Sequence, residues 1–437
     1  MEKVVIVGAG PSGLLLAHYL LRRGDRYQVE IYERLGDPRE VELSNSRTIP
    51  YSLNQRGFLA LRPIDGLESA IEAECVENLM TLFHNPNGKN QLIRRDKPIF
   101  NTNRISLVKA LLSSLVKIAE PSRLKLHFNC KCIGVDFPRQ TLLFESVSSE
   151  TKTELKPFLV PYDRLVGSDG ARSSIRSQFL STPFFDCEQK TYRSCYKTLF
   201  LSRKHEETGG VLQQKAFHVV RSREGINLTA SPQVNGQYIA VVYVPRKRQD
   251  LLNFESVDQV KEFFREYLPK ISYILSDAEA KAFMQRPIST QLLVRCNRYH
   301  YGERVLLIGD AAHAVSSSTG QGCNSALEDA YLFDRLLDEF QESWEIALAK
   351  FTERRLPNAH ALWELDGNIL PVSKGLFIEF ILRERWAKLA SRWFPNLVAP
   401  SLRDLVGSST VPFSEILQTY QGWVDKVKAS NRKLNIN

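Results

Sequence analysis

The residues with the clearest chemical potential in this 437-residue sequence are glycines. Gly8-Ala9-Gly10-Pro11-Ser12-Gly13 stands between the apolar run Val4-Val5-Ile6-Val7 and a helix-compatible stretch from Leu14 to Arg23. At this spacing one glycine allows a tight turn, one lets a diphosphate approach the backbone, and one lets helix pack on strand. The helix start then offers unpaired N–H groups and a positive dipole end to an anion. Glu33 follows the next strand-like run, where a carboxylate can accept hydrogen bonds from an adenosine ribose. A dinucleotide site is therefore expected at Gly8, Gly10, Pro11, Ser12, Gly13 and Glu33, with Arg34 and Arg47 nearby.

Two further turns follow strand-like runs. Gly167-Ser168-Asp169-Gly170-Ala171-Arg172-Ser173-Ser174-Ile175-Arg176 comes after Leu165-Val166. By itself it reads as a strand-to-helix turn with Asp169 as a helix cap. Gly309-Asp310-Ala311-Ala312-His313 comes after Arg304 to Ile308. Asp310 is either another cap or a carboxylate for the hydroxyls of a flavin's ribityl chain. Gly320-Gln321-Gly322-Cys323-Asn324 then opens a long helix. Its positive end suits an anion, and its glycines let a ligand approach the backbone closely. His313 reads as a structural residue of its turn rather than a base, and Cys323 as a small packing residue.

These turns need elements to hold them. Residues 1–35 read as a βαβ unit. Residues 40–75 look helical or loop-like, and Asn85-Pro86-Asn87-Gly88 suggests a hairpin near 80–100. A helix is expected over 107–118, followed by strands near 124–137 and 141–147. Residues 190–300 alternate short strands with one helical stretch at 256–268, as a separate mixed sheet would. From 341 onward the chain reads as helical. The expected division is 1–75, 101–185 and 290–340 for a discontinuous cofactor domain, 76–100 and 186–289 for a substrate domain, and 341–437 for a helical region.

Composition sets bounds. Hydrophobic residues make up 43% and charged residues 24%, ordinary for a globular chain. The net charge is +9, but the basic residues are scattered in short clusters such as Arg246-Lys247-Arg248, which argues against a nucleic-acid partner. Seven cysteines without CxxC or Cys/His ligand spacing point to reduced thiols, no metal, and a reducing compartment such as the cytoplasm. The first strand begins at Lys3, leaving no room for a signal peptide. No run of about 18 apolar residues predicts a membrane-spanning helix. Gly375 to Trp386 is apolar, aromatic and basic; it reads as a helix capping a cavity, with peripheral membrane contact as the alternative.

The order Gly8–Gly13, Asp169–Arg176 and Gly309–Asn324 resembles the class A flavoprotein monooxygenases of the para-hydroxybenzoate hydroxylase type, which carry GxGxxG, DGxxSxxR and GDAAH…GQGxN. The resemblance implies an α/β, Rossmann-type (glutathione-reductase-like) FAD fold with an inserted mixed-sheet substrate domain and a C-terminal helical region. It implies FAD held by Gly8–Gly13, Glu33, Asp310 and the turn Gly320, Gly322, Asn324, with Asp169 near the diphosphate and Arg104 also touching FAD. A surface arginine at a helix start is the alternative for Arg104. It further implies transient NAD(P)H, O2, and oxygen transfer through a flavin C4a-hydroperoxide to a small-molecule substrate. Only one dinucleotide fingerprint is present, which fits a nicotinamide that binds and leaves.

Arg47-Thr48-Ile49, Gln55-Arg56-Gly57, Arg355 to Ala361 and Val411-Pro412-Phe413-Ser414 are similar to segments of the kynurenine 3-monooxygenase branch. That branch's substrate-binding arginine falls on Thr81 and its tyrosine on Pro98, and Ser316-Ser317-Ser318 precedes the second glycine turn. These departures argue against kynurenine as substrate. An FAD-dependent reductase, or a non-catalytic protein on an FAD-type fold, are the alternative readings. No catalytic base is identified.

Overall fold

The structure, a computed structural model, describes residues 1–41, 48–86, 88, 90–147, 156–204, 211–393 and 399–433. Arg47 lies outside the described residues.

Glu2–Val7 is the apolar centre of a six-stranded sheet, whose order is His300–Tyr301, Val305–Leu307, Arg164–Gly167, Glu2–Val7, Tyr27–Tyr32, Leu124–His127. All pairings are parallel except that of His300–Tyr301 with Val305–Leu307. Val4, Val5 and Ile6 are fully buried, as a strand covered on both faces requires. Helix Pro11–Leu21 starts with proline, which loses no hydrogen bond there, and Ser12 to Leu21 are all buried. Val7 pairs with Gly167 and Tyr32, and Gly167 pairs with Leu307. The three glycine turns thus leave the same carboxyl edge side by side. Parallel α/β sheets bind ligands at such an edge. A three-stranded antiparallel sheet, Cys130–Asp136, Thr141–Ser146 and Phe158–Pro161, flanks this domain.

The second layer is an eight-stranded mixed sheet ordered Ser289–Cys296, Cys187–Leu201, Tyr238–Pro245, Asn227–Pro232, Ala216–Arg221, Val76–His84, Asn90–Asn103, Pro50–Leu53. Pro50–Leu53 differs from the helical or loop character expected of 40–75. It pairs with Phe100–Asn103, so both segments hydrogen-bond into the eight-stranded sheet. Helices Val257–Tyr267, Pro269–Ser272 and Asp277–Gln285 cover one face, packing Phe263, Phe264 and Phe283 on Leu199, Leu228, Ala240 and Val242. A single helix was expected here. Asp277–Gln285 begins where Ser276 accepts the Glu279 N–H, a Ser-x-x-Glu cap legible in the sequence.

The C-terminal region is helical: Trp344–Asp366, Lys374–Trp393, Leu402–Ser408 and Phe413–Lys433. Its core joins Leu362, Leu365, Phe380, Phe413, Trp423 and Val424. Helix Lys374–Trp393 departs from the expected core helix. Phe380 and Ala387 are buried, but Ile378, Leu382, Trp386, Leu389 and Trp393 are each more than half exposed. Among the described residues no helix is long and apolar enough to cross a membrane.

Candidate cofactor and active site

The first turn is shaped by close backbone contact. Gly8 has φ of 103°, and a Cβ there would meet the Ser168 carbonyl oxygen at 2.5 Å. A Cβ on Gly13 would meet Ser168 Oγ at 2.4 Å and the Gly8 oxygen at 2.5 Å. Gly10 differs, because its nearest protein atom would be 3.8 Å away. The space in front of Gly10 is open, as a diphosphate needs. The helix has no side-chain cap, so its first N–H groups remain available to a ligand. Glu33 holds the loop: its Oε2 accepts the Ala9 N–H at 2.9 Å and its Oε1 the Leu35 N–H at 3.0 Å. Each oxygen keeps a lone pair for a ribose hydroxyl. Arg34 is exposed beside it.

Asp169 does what a cap does with one oxygen only. Oδ2 accepts from Ser174 N at 2.6 Å and Ser174 Oγ at 3.0 Å. Oδ1 is buried without a partner among the described residues. An orphaned carboxylate oxygen is costly and fits a missing donor. Arg176 is buried and donates to the Ala311 oxygen at 2.9 Å and the Ala171 oxygen at 2.7 Å, fastening the second turn to the third. A Cβ on Gly309 would meet Ser12 Oγ at 2.7 Å, so the third turn also packs against the first.

Asp310 is exposed, yet it lies deep in the molecule. The enclosing protein pushes its carboxyl above the usual range, opposed by the His313 and Arg104 charges. A surface that is open but crowded in this way marks a cleft. Tyr51 and Cys323 share these surroundings, and their hydroxyl and thiol are pushed up chiefly by burial. Cys323 is thus no thiolate nucleophile. Arg104, half-buried at the start of helix Arg104–Ile118, places its charge where Tyr51, Asp310 and Tyr196 feel it. Asn103 fixes that helix start by accepting the Ser106 N–H at 3.0 Å.

Helix Gly322–Glu339 also has no side-chain cap. Asn324 is fully buried; it donates to Ser52 O at 2.9 Å and Gly320 O at 3.0 Å and accepts the Asn54 N–H at 3.0 Å. Its side chain therefore clamps strand Pro50–Leu53 to the turn, leaving its backbone N–H for a ligand. A Cβ on Gly57 would meet Asn324 Oδ1 at 2.5 Å, so the clamp requires that glycine.

Sequence reasoning missed the support beneath these turns. Asp329 is fully buried; its Oδ2 accepts Gly309 N–H and faces His313 Nε2, both at 2.7 Å, while Oδ1 accepts Arg355 Nε at 2.6 Å. Burial alone would push this carboxyl up, but the His313 and Arg355 partners hold it below the usual range. Arg355 continues to Glu328 at 2.6 Å, and Glu328 pairs with Arg56. Arg56 donates to the Val411 oxygen at 2.6 Å and stacks on Phe413. The similar segments at 55–57, 355–361 and 411–414 are thus one connected network. Asp366 does the same for the serine loop, binding Ser316 N at 2.7 Å and Ser318 Oγ at 2.8 Å. Among the described residues no cluster of His, Cys, Asp and Glu could hold a metal.

The FAD binding domain family model matches residues 1–366. The chain belongs to that family. It is 28% identical to violacein synthase of Chromobacterium violaceum over 429 residues, covering 96% of each chain. It is 27% identical to kynurenine 3-monooxygenase of Sus scrofa over 434 residues, covering 97% of this chain and 87% of that one. Its fold is shared with the tetrameric 2-methyl-3-hydroxypyridine-5-carboxylic acid oxygenase, at TM-score 0.66, 19% identity, and coverage of 84% and 90%. FAD is therefore its cofactor, in agreement with the resemblance to the class A flavoprotein monooxygenases. The open face of Gly10, the orphaned Asp169 oxygen and the cleft at Asp310 all fit that group.

Proposed function

We propose that the protein is an FAD-dependent monooxygenase that uses NAD(P)H and O2 to hydroxylate or epoxidise a small aromatic or other unsaturated molecule. The observation that carries this reading is the meeting of three glycine turns at one sheet edge, with the space in front of Gly10 left open. Bound FAD supplies hydride acceptance from NAD(P)H and activation of O2.

The chain's own residues bind, orient and enclose. Gly8, Gly10, Pro11, Ser12 and Gly13 would cradle the diphosphate, with Glu33 on the adenosine ribose and Asp169 beside the diphosphate. Asp310 would receive ribityl hydroxyls. Gly320, Gly322 and Asn324 would place the helix start against the flavin's pyrimidine edge, where the dipole favours negative charge. Arg104, whose charge reaches Asp310, would also contact FAD. On the substrate side, Tyr243 Oη lies 3.2 Å from Ser317 Oγ, which Gln291 Nε2 also reaches at 2.8 Å. This polar cluster can orient a substrate.

The test is anaerobic mixing of the FAD-loaded protein with NADH or NADPH, alone and with aromatic candidates, followed by oxygen uptake. A substrate should speed bleaching of the flavin and then drive stoichiometric O2 consumption. Reduction without substrate-dependent O2 uptake would favour the reductase reading. No bleaching with either nicotinamide would remove the basis of both.

The exposed stripe on Lys374–Trp393 supports a peripheral contact with a bilayer, since its two tryptophans and its basic residues suit a lipid interface. Co-sedimentation with phosphatidylglycerol vesicles checks it.

A further inference from the structure

The chain passes from the six-stranded sheet into the eight-stranded sheet along Cys187–Leu201 and returns after Ser289–Cys296. Tyr238–Pro245 pairs with the first of these strands only from Ser194 onward, and the pairing of the two strands with each other is interrupted between Thr191 and Cys195. Cys187–Thr191 and Leu292–Cys296 therefore form a two-stranded ribbon between the sheets, with no third strand beside it among the described residues. Such a ribbon is weak by itself. It nevertheless bears on the glycine turns. Val294 donates its N–H to the Ala314 oxygen at 2.8 Å, just past the third turn. Arg176, which joins the second turn to the third, also reaches Gln189 Oε1 at 3.3 Å.

A cysteine pair stands at the end of this ribbon. Cys187 and Cys296 are direct partners in the antiparallel register. One step further out, the Asn297 N–H donates to the Asp186 oxygen at 3.0 Å, so Cys187 and Cys296 are the adjacent pair that exchanges no backbone hydrogen bond. Opposed side chains come closest in such pairs, with Cα atoms about 4.5 Å apart, within the span that a disulfide bridges. The Cys296 thiol donates to Cys187 Sγ at 3.5 Å. A disulfide bond is about 2 Å long, so each sulfur need move by less than about 1 Å. Cys296 is buried and Cys187 half-buried, so a small solute has its access on the Cys187 side. The Cys296 hydrogen bond, with the Arg176 charge assisting and burial opposing, holds the Cys187 thiol below its usual range.

We propose that Cys187 and Cys296 form a reversible disulfide site, closed by hydrogen peroxide and reopened by a dithiol, that cross-links the ribbon joining the two sheets. The Cys187 thiolate attacks one peroxide oxygen, the O–O bond breaks, and the departing hydroxide takes up a proton as water. The Cys296 sulfur then attacks the sulfenic sulfur of Cys187. The S–S bond forms, the S–O bond breaks, and a second water leaves with the Cys296 proton. Two electrons pass from the sulfurs to the peroxide. A dithiol returns them by exchange and is itself oxidised to a disulfide. Disulfides of this transient kind are the ones found in reducing compartments. The site holds whatever reaction the flavin serves.

The experiment treats the FAD-loaded protein with hydrogen peroxide, blocks the remaining thiols with N-ethylmaleimide, and maps peptides without reduction. A linked Cys187–Cys296 peptide should appear, and dithiothreitol should remove it. More than 100 residues separate the two cysteines, so the cross-link constrains a long loop of the unfolded chain. The oxidised protein should melt about 5 °C higher than the reduced one, and the gain should vanish on reduction. Cys187→Ser should show neither the peptide nor the gain. In Cys296→Ala, peroxide should leave a sulfenic acid on Cys187 that dimedone traps. The inference is overturned if peroxide carries Cys187 to the sulfinic acid with no linked peptide, if Cys187 links to a different cysteine, or if the linked protein melts no higher than the reduced one. Mapping and melting of the parent decide this whether or not either variant folds.

Discussion

Asp329 Oδ2 holds both His313 Nε2 and the Gly309 N–H at 2.7 Å, so one buried oxygen fixes the turn that carries Asp310. Asp329→Asn would remove the charge that Arg355 needs inside the protein. Breaking such a buried pair costs about 3–5 kcal/mol. The variant should melt earlier and purify with less FAD, read from the ratio of flavin to protein absorbance. Full FAD content at unchanged stability would show that the network does not support the turn.

The glycines of the first turn should separate stability from cofactor retention. A Cβ on Gly10 would have the Ser168 oxygen, 3.8 Å away, as its nearest contact, so in Gly10→Val the fold should survive while the diphosphate space is filled. Gly13→Ala places its Cβ against Ser168 Oγ and the Gly8 oxygen, and overpacking of this kind costs about 1–3 kcal/mol. Circular dichroism melts and FAD titration of the two variants would check the contrast. Equal FAD affinity in Gly10→Val and the parent would displace the diphosphate from this loop.

The pH dependence of stability has an identifiable source. His18 is fully buried with Nε2 2.9 Å from the Leu111 oxygen, and burial lowers its pKa to about 4. His218 is likewise lowered to about 4, chiefly by burial. The unfolded chain protonates these rings near their ordinary value of 6.5, whereas the folded protein resists until about 4. Stability is therefore unaffected above that ordinary value and falls as the pH drops from it towards 4, by roughly 3 kcal/mol for each ring at the acid end. Denaturant melts of His18→Gln across this window should show a shallower fall than the parent.

Much of the cofactor side was legible because its signals are local. A strand, a glycine turn and a helix start lie within a few residues of one another, and each of the three turns repeats that grammar. The carboxyl-edge placement followed from parallel pairing. What could not be read was contact between distant segments. Pro50–Leu53 lacks an alternating pattern and becomes a strand only because Phe100–Asn103 lies beside it. Asp329 and Asp366 sit in ordinary helical sequence, and their importance comes from burial against turns far away in the chain. Helix Lys374–Trp393 is apolar enough for a core, and nothing local says which side remains uncovered.

Cys187 and Cys296 face each other across paired strands with sulfurs 3.5 Å apart. The hydrogen bond from Cys296 pulls the Cys187 thiol below its ordinary range, against the opposing effect of burial. Its alkylation by iodoacetamide should reach half its limiting rate below the pH at which an ordinary thiol does, and Cys296→Ala should move the profile upward. Peptide mapping by mass spectrometry would read both. An identical profile in the variant would mean that Cys296 does not stabilise the thiolate.

The segment that Asn324 clamps to the last glycine turn is fastened to sequence that leaves the ribosome late. Asn54 donates to the Gly407 oxygen at 2.9 Å, and Arg56 reaches the Val411 oxygen. A nascent chain can close its first βαβ unit early, yet the segment at 54–56, clamped to the last glycine turn through Asn324, waits for more than 350 further residues before it is anchored. Acquisition of colour should thus trail translation, and polypeptides released prematurely should emerge pale even when their amino-terminal half is well ordered.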